Sequence, residues 1–331
     1  MTLRFALLGA GRIGKAHARA ISANPDAELA FVADAMPEAA ASLASQYGST
    51  VATIDDIEAD ASVDGVIICT PTPTHADLIE RFARAGKAIF CEKPIDLDAG
   101  RVRECLAVVE ETNARLMVGF NRRFDPHFAS VRAAIDDGQI GDVELVQITS
   151  RDPAPPPISY IKESGGLFRD MMIHDFDMAR FLLGEEPVSV FATGAVLVDP
   201  AIGEACDVDT ATATLTTASG KQCVITNTRR ASYGYDQRVD VHGSKGSASI
   251  ENQRETSLEI ANGDGYRRQP LLDFFMQRYA QAYANEIEAF VATVRDGKAA
   301  NPNGLDGLKS LLLADAAVQS MQEGRPVSVE L

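Results

Sequence analysis

The sequence predicts an α/β protein with two domains, a doubly wound parallel sheet followed by an α+β domain with a large, open, mainly antiparallel sheet. The length of 331 residues exceeds the roughly 100 to 200 residues of a typical single domain. Short apolar runs alternate with amphipathic segments over the first third of the chain, and longer stretches with partial period-two alternation follow. These observations separate an N-terminal parallel sheet from a C-terminal antiparallel one.

The apolar runs of the first third are apolar on both faces, as expected for strands of a buried parallel sheet. Amphipathic segments such as Ala76–Ala85 and Gly100–Glu111 lie between them and predict helices that cover both sides of the sheet. We therefore expect residues 1–120 to form the first domain. Its predicted strands are Leu3–Leu8, Leu29–Ala33, Gly65–Cys69, Ala88–Cys91 and Leu116–Val118.

Residues 121–331 are expected to form the second domain, although its final helices could pack back on the first. A helix is predicted over 166–183, and two closing helices over 272–295 and 305–321. The predicted strands are Val143–Thr149, Val188–Thr193, Thr210–Leu215, Gln222–Thr228 and Val239–Val241.

Charge and cysteine content limit the partners of the protein. The 31 basic and 47 acidic residues give a net charge of -16, which repels nucleic-acid phosphates and anionic lipid and favours a small neutral substrate. The five cysteines are scattered, without a C-x-x-C pair, and the chain has no apolar run of about 20 residues. We expect a cytoplasmic protein that binds neither nucleic acid nor membrane.

A glycine turn follows the first predicted strand and opens a helix; its sequence is Gly9-Ala10-Gly11-Arg12-Ile13-Gly14. Gly9 allows the tight turn, Gly11 lets backbone amides approach a pyrophosphate, and Gly14 lets the helix pack against the sheet. Asp34 ends the next strand, where its carboxylate would bind ribose hydroxyls and repel a 2'-phosphate. The pattern predicts an NAD site of the Rossmann type; a purely structural turn and an S-adenosylmethionine site are the alternatives.

Two further loops follow predicted strands at the carboxyl edge of the sheet, where ligands bind in such domains. Thr70, Pro71, Thr72 and His75 are predicted to contact the cofactor on its nicotinamide side, although the prolines alone could set a structural turn. Glu92 and Lys93 follow the next strand and are predicted cofactor contacts as well. Lys93 could also hydrogen-bond a substrate hydroxyl that loses its proton, or be an ordinary surface lysine.

Asp170 and His174 form the second set of candidate catalytic residues. If residues 166–183 are helical, the two side chains lie one turn apart on one face, and His174 could serve as a general base near neutral pH. The same spacing also fits a solvated helix face or half of a metal site. No third ligand is evident in the sequence, so we predict no metal site.

The order of these motifs resembles the glucose–fructose oxidoreductase / inositol dehydrogenase family over almost the whole chain. The motifs are the glycine turn, Glu92-Lys93-Pro94, and Gly165-Gly166-x-x-x-Asp170-x-x-x-His174-Asp175. The blocks 121–126, 150–153, 168–180 and 229–238 resemble the inositol 2-dehydrogenase branch of that family. The resemblance implies NAD-dependent oxidation of a secondary hydroxyl on a cyclic polyol, myo-inositol to scyllo-inosose.

The resemblance also implies roles for individual residues. Lys93, Asp170 and His174 match the catalytic lysine, aspartate and histidine of the family. Arg123, Asp152 and Tyr233 match positions near the polyol; an ion pair, a turn before proline and core packing are their respective structural alternatives. A homotetramer assembled through the open face of the second sheet is implied as well.

Other functions stay open on the sequence alone. A relative acting on scyllo-inositol or a pyranose such as glucose would use the same catalytic residues, and a non-catalytic NAD sensor would keep only the nucleotide site. Arg229 and Arg230 could indicate a phosphorylated substrate, but neighbouring residues of a strand point to opposite faces and the chain is acidic. We therefore expect a structural role for this arginine pair.

Overall fold

The computed structural model describes residues 2–331, which divide into two compact units. The first consists of the chain up to Phe124 together with Gln281–Leu311, and the second of Asp125–Ala280 together with Leu312–Leu331. The sequence placed a division at residue 120 and assigned everything after it to one domain. Residues 281–311 instead group with the first unit, as the open prediction for the final helices allowed.

In the first unit, as described, six parallel strands form one sheet in the order β3-β2-β1-β4-β5-β6. This is the strand order of dinucleotide-binding folds, in which ligands bind at the carboxyl edge where the winding reverses between β1 and β4. The predicted parallel sheet is confirmed. The short β3 was not predicted, because its two exposed residues have no apolar pattern. The strands are β1 (Leu3–Leu8), β2 (Ala27–Ala33), β3 (Thr50–Val51), β4 (Gly65–Ile68), β5 (Ala88–Glu92) and β6 (Leu116–Gly119).

Helices pack against this sheet because their apolar residues cover its buried strands. Phe5 of β1 and Phe90 of β5 both contact the ring of Phe290, with centroids 5.4 and 5.8 Å apart, and all three rings are fully buried. Phe290 comes from a helix late in the chain, which explains why residues 281–311 belong to this unit. The helices up to residue 111 are α1 (Arg12–Ala23), α2 (Pro37–Tyr47), α3 (Ile54–Ala59), α4 (His75–Arg84) and α5 (Ala99–Glu111).

The second unit contains a mixed sheet of seven described strands in the order β12-β11-β7-β10-β9-β8-β15. Only the β7/β10 pair is parallel, so the predicted mainly antiparallel sheet is confirmed. Two exposed strands, β13 and β14, form a separate hairpin. The strands are β7 (Val143–Arg151), β8 (Pro187–Ala195), β9 (Thr210–Thr217), β10 (Gln222–Thr228), β11 (Asp236–Gly243), β12 (Gly246–Ile250), β13 (Glu259–Asn262), β14 (Gly265–Arg268) and β15 (Val327–Ser328).

The later helices differ from the sequence prediction in two places. The helix predicted over 166–183 is interrupted at Met171 and Met172, and the one predicted over 272–295 is interrupted at Tyr279. None of the helices within residues 2–331 is both long and apolar enough to cross a membrane. The helices are α6 (Pro126–Asp136), α7 (Ile158–Ser164), α8 (Gly166–Asp170), α9 (Ile173–Leu183), α10 (Pro200–Glu204), α11 (Phe275–Arg278), α12 (Ala280–Asp296) and α13 (Gly304–Glu323).

Candidate active site

The glycine turn between β1 and α1 has the geometry that a pyrophosphate site requires. Gly9 has a φ of +100°, and a β-carbon there would lie 2.5 Å from the carbonyl oxygen of Cys69. A β-carbon at Gly14 would overlap the carbonyl oxygen of Gly9, so α1 packs directly on the turn. At Gly11, by contrast, no heavy atom of residues 2–331 lies within 4 Å of a β-carbon position. The open space is therefore at the glycine expected to face the pyrophosphate.

Asp34, directly after β2, is held against this turn. Its Oδ2 accepts a hydrogen bond of 2.6 Å from the amide of Ala10, and its Oδ1 accepts one of 2.7 Å from the amide of Met36. A carboxylate has about four acceptor sites, so capacity remains for ribose hydroxyls. Arg12 and Ile13 begin α1, whose N-terminus adds the positive end of a helix dipole. These residues fit a bound NAD.

His75 connects the two loops predicted to contact the cofactor. Its ring is 1% exposed, with Nε2 2.7 Å from the carbonyl oxygen of Thr70 and Nδ1 2.8 Å from that of Pro94. Burial lowers the pKa of His75, and these two carbonyls oppose the shift. Since both ring nitrogens face backbone acceptors, His75 holds the loops in place. Its contact with the cofactor stays a prediction.

The loop after β4 is also a proline-set turn, the alternative considered above. The hydroxyl of Thr74 donates to the carbonyl of Pro71 at 2.8 Å and lies 2.7 Å from the hydroxyl of Thr70. Thr72–Thr74 form a short 3₁₀ turn before α4. The turn leaves Pro71 exposed and Thr70 and Thr72 half-buried at the carboxyl end of β4, so these three stay proposed cofactor contacts.

Glu92 is directed into the interior of the first unit. Its Oε1 lies 2.6 Å from Nε2 of His17, which is fully buried in α1. Glu286 of α12 is also fully buried, and burial raises its pKa well above the usual range, with a further rise from the charge of Glu92. Glu92 is thus engaged with His17, which argues against its predicted cofactor contact. Lys93 follows at the end of β5 and is half-buried, unlike an ordinary surface lysine.

Asp170 and His174 do not lie on one continuous helix, contrary to the expectation. Asp170 ends α8 and His174 is the second residue of α9. Between them, the amides of Met171 and Met172 both donate to the carbonyl of Leu167, at 3.0 and 2.9 Å, so the regular hydrogen-bond ladder is broken. The four-residue spacing alone therefore does not determine how the side chains of Asp170 and His174 are placed relative to each other.

The Asp170 carboxylate is held by residues distant in sequence. Its Oδ1 accepts a hydrogen bond of 2.9 Å from the hydroxyl of Tyr160, and its Oδ2 lies 3.8 Å from Nη2 of the buried Arg229. His174 is half-buried, whereas its neighbours Ile173 and Asp175 are fully buried. The imidazole is thus the polar group that this first turn of α9 leaves accessible.

Asp175, next to His174, anchors α9 to the sheet. Its Oδ1 accepts a hydrogen bond of 2.5 Å from Ser150, and its Oδ2 accepts one of 2.9 Å from the side-chain amide of Asn227. Ser150 of β7 and Asn227 of β10 are directly paired across the two parallel strands. The His-Asp pair of the motif therefore combines one accessible residue with one that fixes its backbone.

The two glycines of the motif have left-handed backbone conformations, and the second lies against the half-buried carboxylate of Asp207. Gly165 and Gly166 have φ values of +84° and +82°, a region that favours glycine. A β-carbon at Gly166 would lie 2.7 Å from Oδ1 of Asp207. Asp207 in turn accepts from the amide of Leu167 at 3.0 and 3.1 Å, which orients the start of α8.

The predicted polyol contacts have different environments. Arg123 donates to Asp306 at 3.0 Å and to Asn301 at 2.9 Å, the ion-pair alternative. Asp152 directly follows β7 and is half-buried. Tyr233 is 52% exposed, which is not core packing. Its hydroxyl donates to Asp236 at 2.6 Å and accepts from Arg151 at 2.7 Å.

The described chain matches two family models. Residues 3–120 match an oxidoreductase family with an NAD-binding Rossmann fold, and residues 128–249 match the GFO/IDH/MocA C-terminal domain. The chain belongs to the GFO/IDH/MocA oxidoreductase family. The family predicted from the motifs is confirmed, and so are the dehydrogenase class and the NAD cofactor.

Similar proteins span the same length as this chain. The inositol 2-dehydrogenase of Rhizobium meliloti strain 1021 is 68% identical over 329 residues, which are 99% of this chain and 100% of the relative. A crystal structure of a myo-inositol dehydrogenase from Corynebacterium glutamicum is 44% identical, with a TM-score of 0.96 and full coverage of both chains. A scyllo-inositol dehydrogenase from Lactobacillus casei, solved with NAD(H) and scyllo-inositol, is 30% identical, with a TM-score of 0.92 and 99% coverage of both chains.

The two glycine positions can be tested against each other. We expect Gly14→Ala to lower the thermal unfolding temperature, because its β-carbon meets backbone and overpacking costs about 1–3 kcal/mol. Gly11→Ala, with open space, should unfold like the wild type but bind NAD about tenfold more weakly or worse, a loss of about 1.4 kcal/mol. Thermal unfolding and NAD titration measure both. Unaltered NAD binding by Gly11→Ala would contradict this assignment of the turn.

Proposed function

We propose that the protein is an inositol 2-dehydrogenase that oxidises the C2 hydroxyl of myo-inositol to the ketone of scyllo-inosose. The observation that carries the proposal is the 68% identity, over 329 residues, to an enzyme named for this activity. The glycine turn with Asp34 and the half-buried Lys93 and His174 supply a cofactor site and proton-handling groups of the required kind.

In this proposal, three side chains carry the chemistry. His174 accepts the proton of the C2 hydroxyl, because imidazole is a general base near neutral pH. Asp170, whose carboxylate is held by Tyr160, orients and polarises His174 for this transfer. The Lys93 ammonium stabilises the negative charge that develops on the substrate oxygen as its proton leaves. NAD, when bound, supplies the acceptor for the hydride of the same carbon.

Recognition of a neutral polyol follows from the polar residues around this chemistry. We assign polyol contacts to Lys93, Arg123, Asp152, Asp170, His174 and Tyr233. A substrate that lacks a hydroxyl would leave such groups unpaired, at a cost in binding free energy. Arg123 and Tyr233 already have protein partners, which restrict their orientation and leave fewer hydrogen-bonding positions for a ligand.

Oxidation of scyllo-inositol is the second candidate. It is favoured by the 36% identity to the scyllo-inositol 2-dehydrogenase (NAD(+)) of Bacillus subtilis, over 332 aligned positions. The same three catalytic side chains would serve, since both substrates lose a hydride and a proton from one secondary alcohol. The stereochemistry of the accepted hydroxyl distinguishes the two activities.

The proposal extends to the setting of the enzyme. We assign it to inositol catabolism in the cytoplasm, as a homotetramer formed through the open face of the second sheet. All five cysteines are free thiols in the described chain, as a reducing compartment would keep them. Val188 and Phe191 of β8 are 42% and 39% exposed, which leaves apolar area uncovered on this strand of the sheet.

Purified protein incubated with NAD and a panel of polyols tests the proposed function. NADH absorbance should rise with myo-inositol at a kcat/KM higher than with scyllo-inositol or glucose, because the pocket is matched to one pattern of hydroxyls. A preference for scyllo-inositol would establish the second candidate, and a preference for glucose would contradict both. No turnover with any polyol would indicate a non-catalytic NAD-binding protein.

His174 is tested by His174→Ala. We expect kcat to fall by about 10² to 10⁴-fold, the usual contribution of a general base, while NAD affinity is unchanged. His242→Ala is the matched control, since His242 lies on β11 with a side chain that is 60% exposed. Steady-state kinetics and NAD titration measure both variants. Equal kcat values for the two would rule out His174 as the base.

A further inference from the structure

Arg229 is a buried charge that the proposed reaction does not use. It follows β10, and its side chain is only 1% exposed. Its amide donates to the carbonyl of Asp209 at 2.8 Å, so the backbone is fixed at this point. A guanidinium removed from water is tolerated only when nearby carboxylates compensate its charge. The identity of these carboxylates indicates what Arg229 does.

Two carboxylates share the single positive charge of Arg229. Nη2 lies 3.8 Å from Oδ2 of Asp170 and 3.7 Å from Oδ2 of Asp207, whose side chains are 15% and 10% exposed. Burial raises the pKa of Asp207, the amides of Leu167 and Val208 and the charge of Arg229 lower it, and the charge of Asp170 raises it. The two carboxylates therefore repel each other, and Arg229 is the cation between them.

The surroundings of Arg229 and Arg230 do not favour a phosphorylated substrate. Arg229 faces two carboxylates, so its charge is already balanced and a phosphorylated ligand would meet negative groups beside it. Arg230 is exposed, and its Nη2 donates to the carbonyl of Leu197 at 3.2 Å. The two neighbouring arginines thus have different surroundings, and only Arg229 contacts a candidate catalytic residue.

Tyr160 contacts the carboxylate oxygen of Asp170 that is not near Arg229. Its hydroxyl donates to Oδ1 at 2.9 Å while Arg229 lies near Oδ2, so each carboxylate oxygen has its own neighbour. The preceding residue, Arg169, donates a hydrogen bond of 2.6 Å to Asp315, so its charge is paired with that carboxylate. Charged and titratable groups that interact with Asp170 thus include Tyr160 from α7, Asp207 after α10 and Arg229 after β10, while the Arg169–Asp315 pair and His174 of α9 are close to it in the chain or joined to its neighbour.

We propose that Arg229 is a positioning residue that, together with Tyr160, holds the Asp170 carboxylate in the orientation that its task in proton transfer requires. The role rests on the proposed function, because it acts through Asp170 on the base His174. Because its side chain is only 1% exposed, Arg229 would act through Asp170 and not on a ligand directly. Without its charge, Asp170 and Asp207 face each other as two carboxylates, and protonation of one of them relieves the repulsion.

The proposal predicts a specific change in the pH dependence of Arg229→Met, which keeps the length of the side chain and removes its charge. Loss of a cation makes ionised carboxylates less favourable, so the acid limb of the kcat/KM profile should move to higher pH, by about one unit or more. Activity should recover as the pH rises above that limb. Arg229→Lys keeps the charge and should restore the position of the limb, with a kcat/KM between those of Arg229→Met and the wild type.

The experiment uses the full chain and the polyol that the wild type oxidises best, with NAD titration and thermal unfolding for each variant. Arg230→Met is the matched control and should have the profile of the wild type. An Arg229→Met variant that loses the same factor at every pH, without rescue by Arg229→Lys, would overturn the proposal by indicating a purely structural role. An Arg229→Met profile identical to that of Arg230→Met would also overturn it.

Tyr160→Phe keeps the proposal testable if Arg229→Met does not fold. Tyr160 is 45% exposed, so removal of its hydroxyl should leave the unfolding temperature nearly unchanged. We expect kcat to fall about 3- to 10-fold, which is the net contribution of one typical hydrogen bond, while NAD affinity is retained. An unchanged kcat would contradict the positioning of Asp170. Absence of polyol oxidation by the wild type would instead overturn the proposed function.

Discussion

The buried carboxylate of Asp175 is the interaction on which the geometry of the second unit depends. It receives hydrogen bonds from Ser150 and Asn227, which are paired across the parallel strands β7 and β10. A buried polar group that loses its hydrogen-bond partner typically costs about 1–3 kcal/mol, so this link resists displacement of α9. His174 precedes Asp175, and its backbone position is therefore set by the sheet rather than by a flexible loop.

In the first unit, ionisable side chains in the interior likewise lie close in sequence or space to the residue that precedes Lys93. His17, Glu92 and Glu286 come from α1, β5 and α12, and Glu92 directly precedes Lys93. Burial and the charge of Glu92 both raise the pKa of Glu286 well above its usual range, which favours the neutral form of this buried carboxyl group. In both units, a candidate catalytic residue is next in sequence to a residue whose side chain is held in the interior: Lys93 follows Glu92, and His174 precedes Asp175. Such positioning satisfies a general requirement for catalysis, which loses rate when reacting groups move by even 1 Å.

Local features of the sequence predicted the cofactor site well. The glycine turn, its strand and Asp34 are consecutive or nearly so, and the backbone conformation of Gly9 and the close packing at Gly14 follow from these residues alone. The parallel sheet was likewise predictable, because strands buried on both faces are almost wholly apolar; Arg4 is the one charged residue in β1, and β4 has none. The two exposed residues of β3 have no such pattern, and pairing with β2 alone identifies them as a strand.

The relations within the second set of residues could not be derived from spacing. The break between α8 and α9 places Asp170 and His174 on separate helices, and nothing in an apolar helical pattern distinguishes a break from a continuous helix. Tyr160, Asp207 and Arg229 lie far from Asp170 or in irregular segments, so only the folded chain shows that they surround it. The ion pair between Arg123 and Asp306 could not be derived from the sequence either, because the two residues are 183 positions apart. For Arg229 and Arg230, the sequence predicted only a structural role. It did not show that Arg229 is buried and Arg230 exposed.

Hydride transfer from C2 of myo-inositol is tested most directly with substrate that is deuterated at that carbon. The NADH formed by the wild-type protein should carry the deuterium, as measured by mass spectrometry, because the hydride and the hydroxyl proton leave the same secondary alcohol. Unlabelled NADH formed at a normal rate would show that another carbon is oxidised, and would contradict the assignment of this protein as an inositol 2-dehydrogenase.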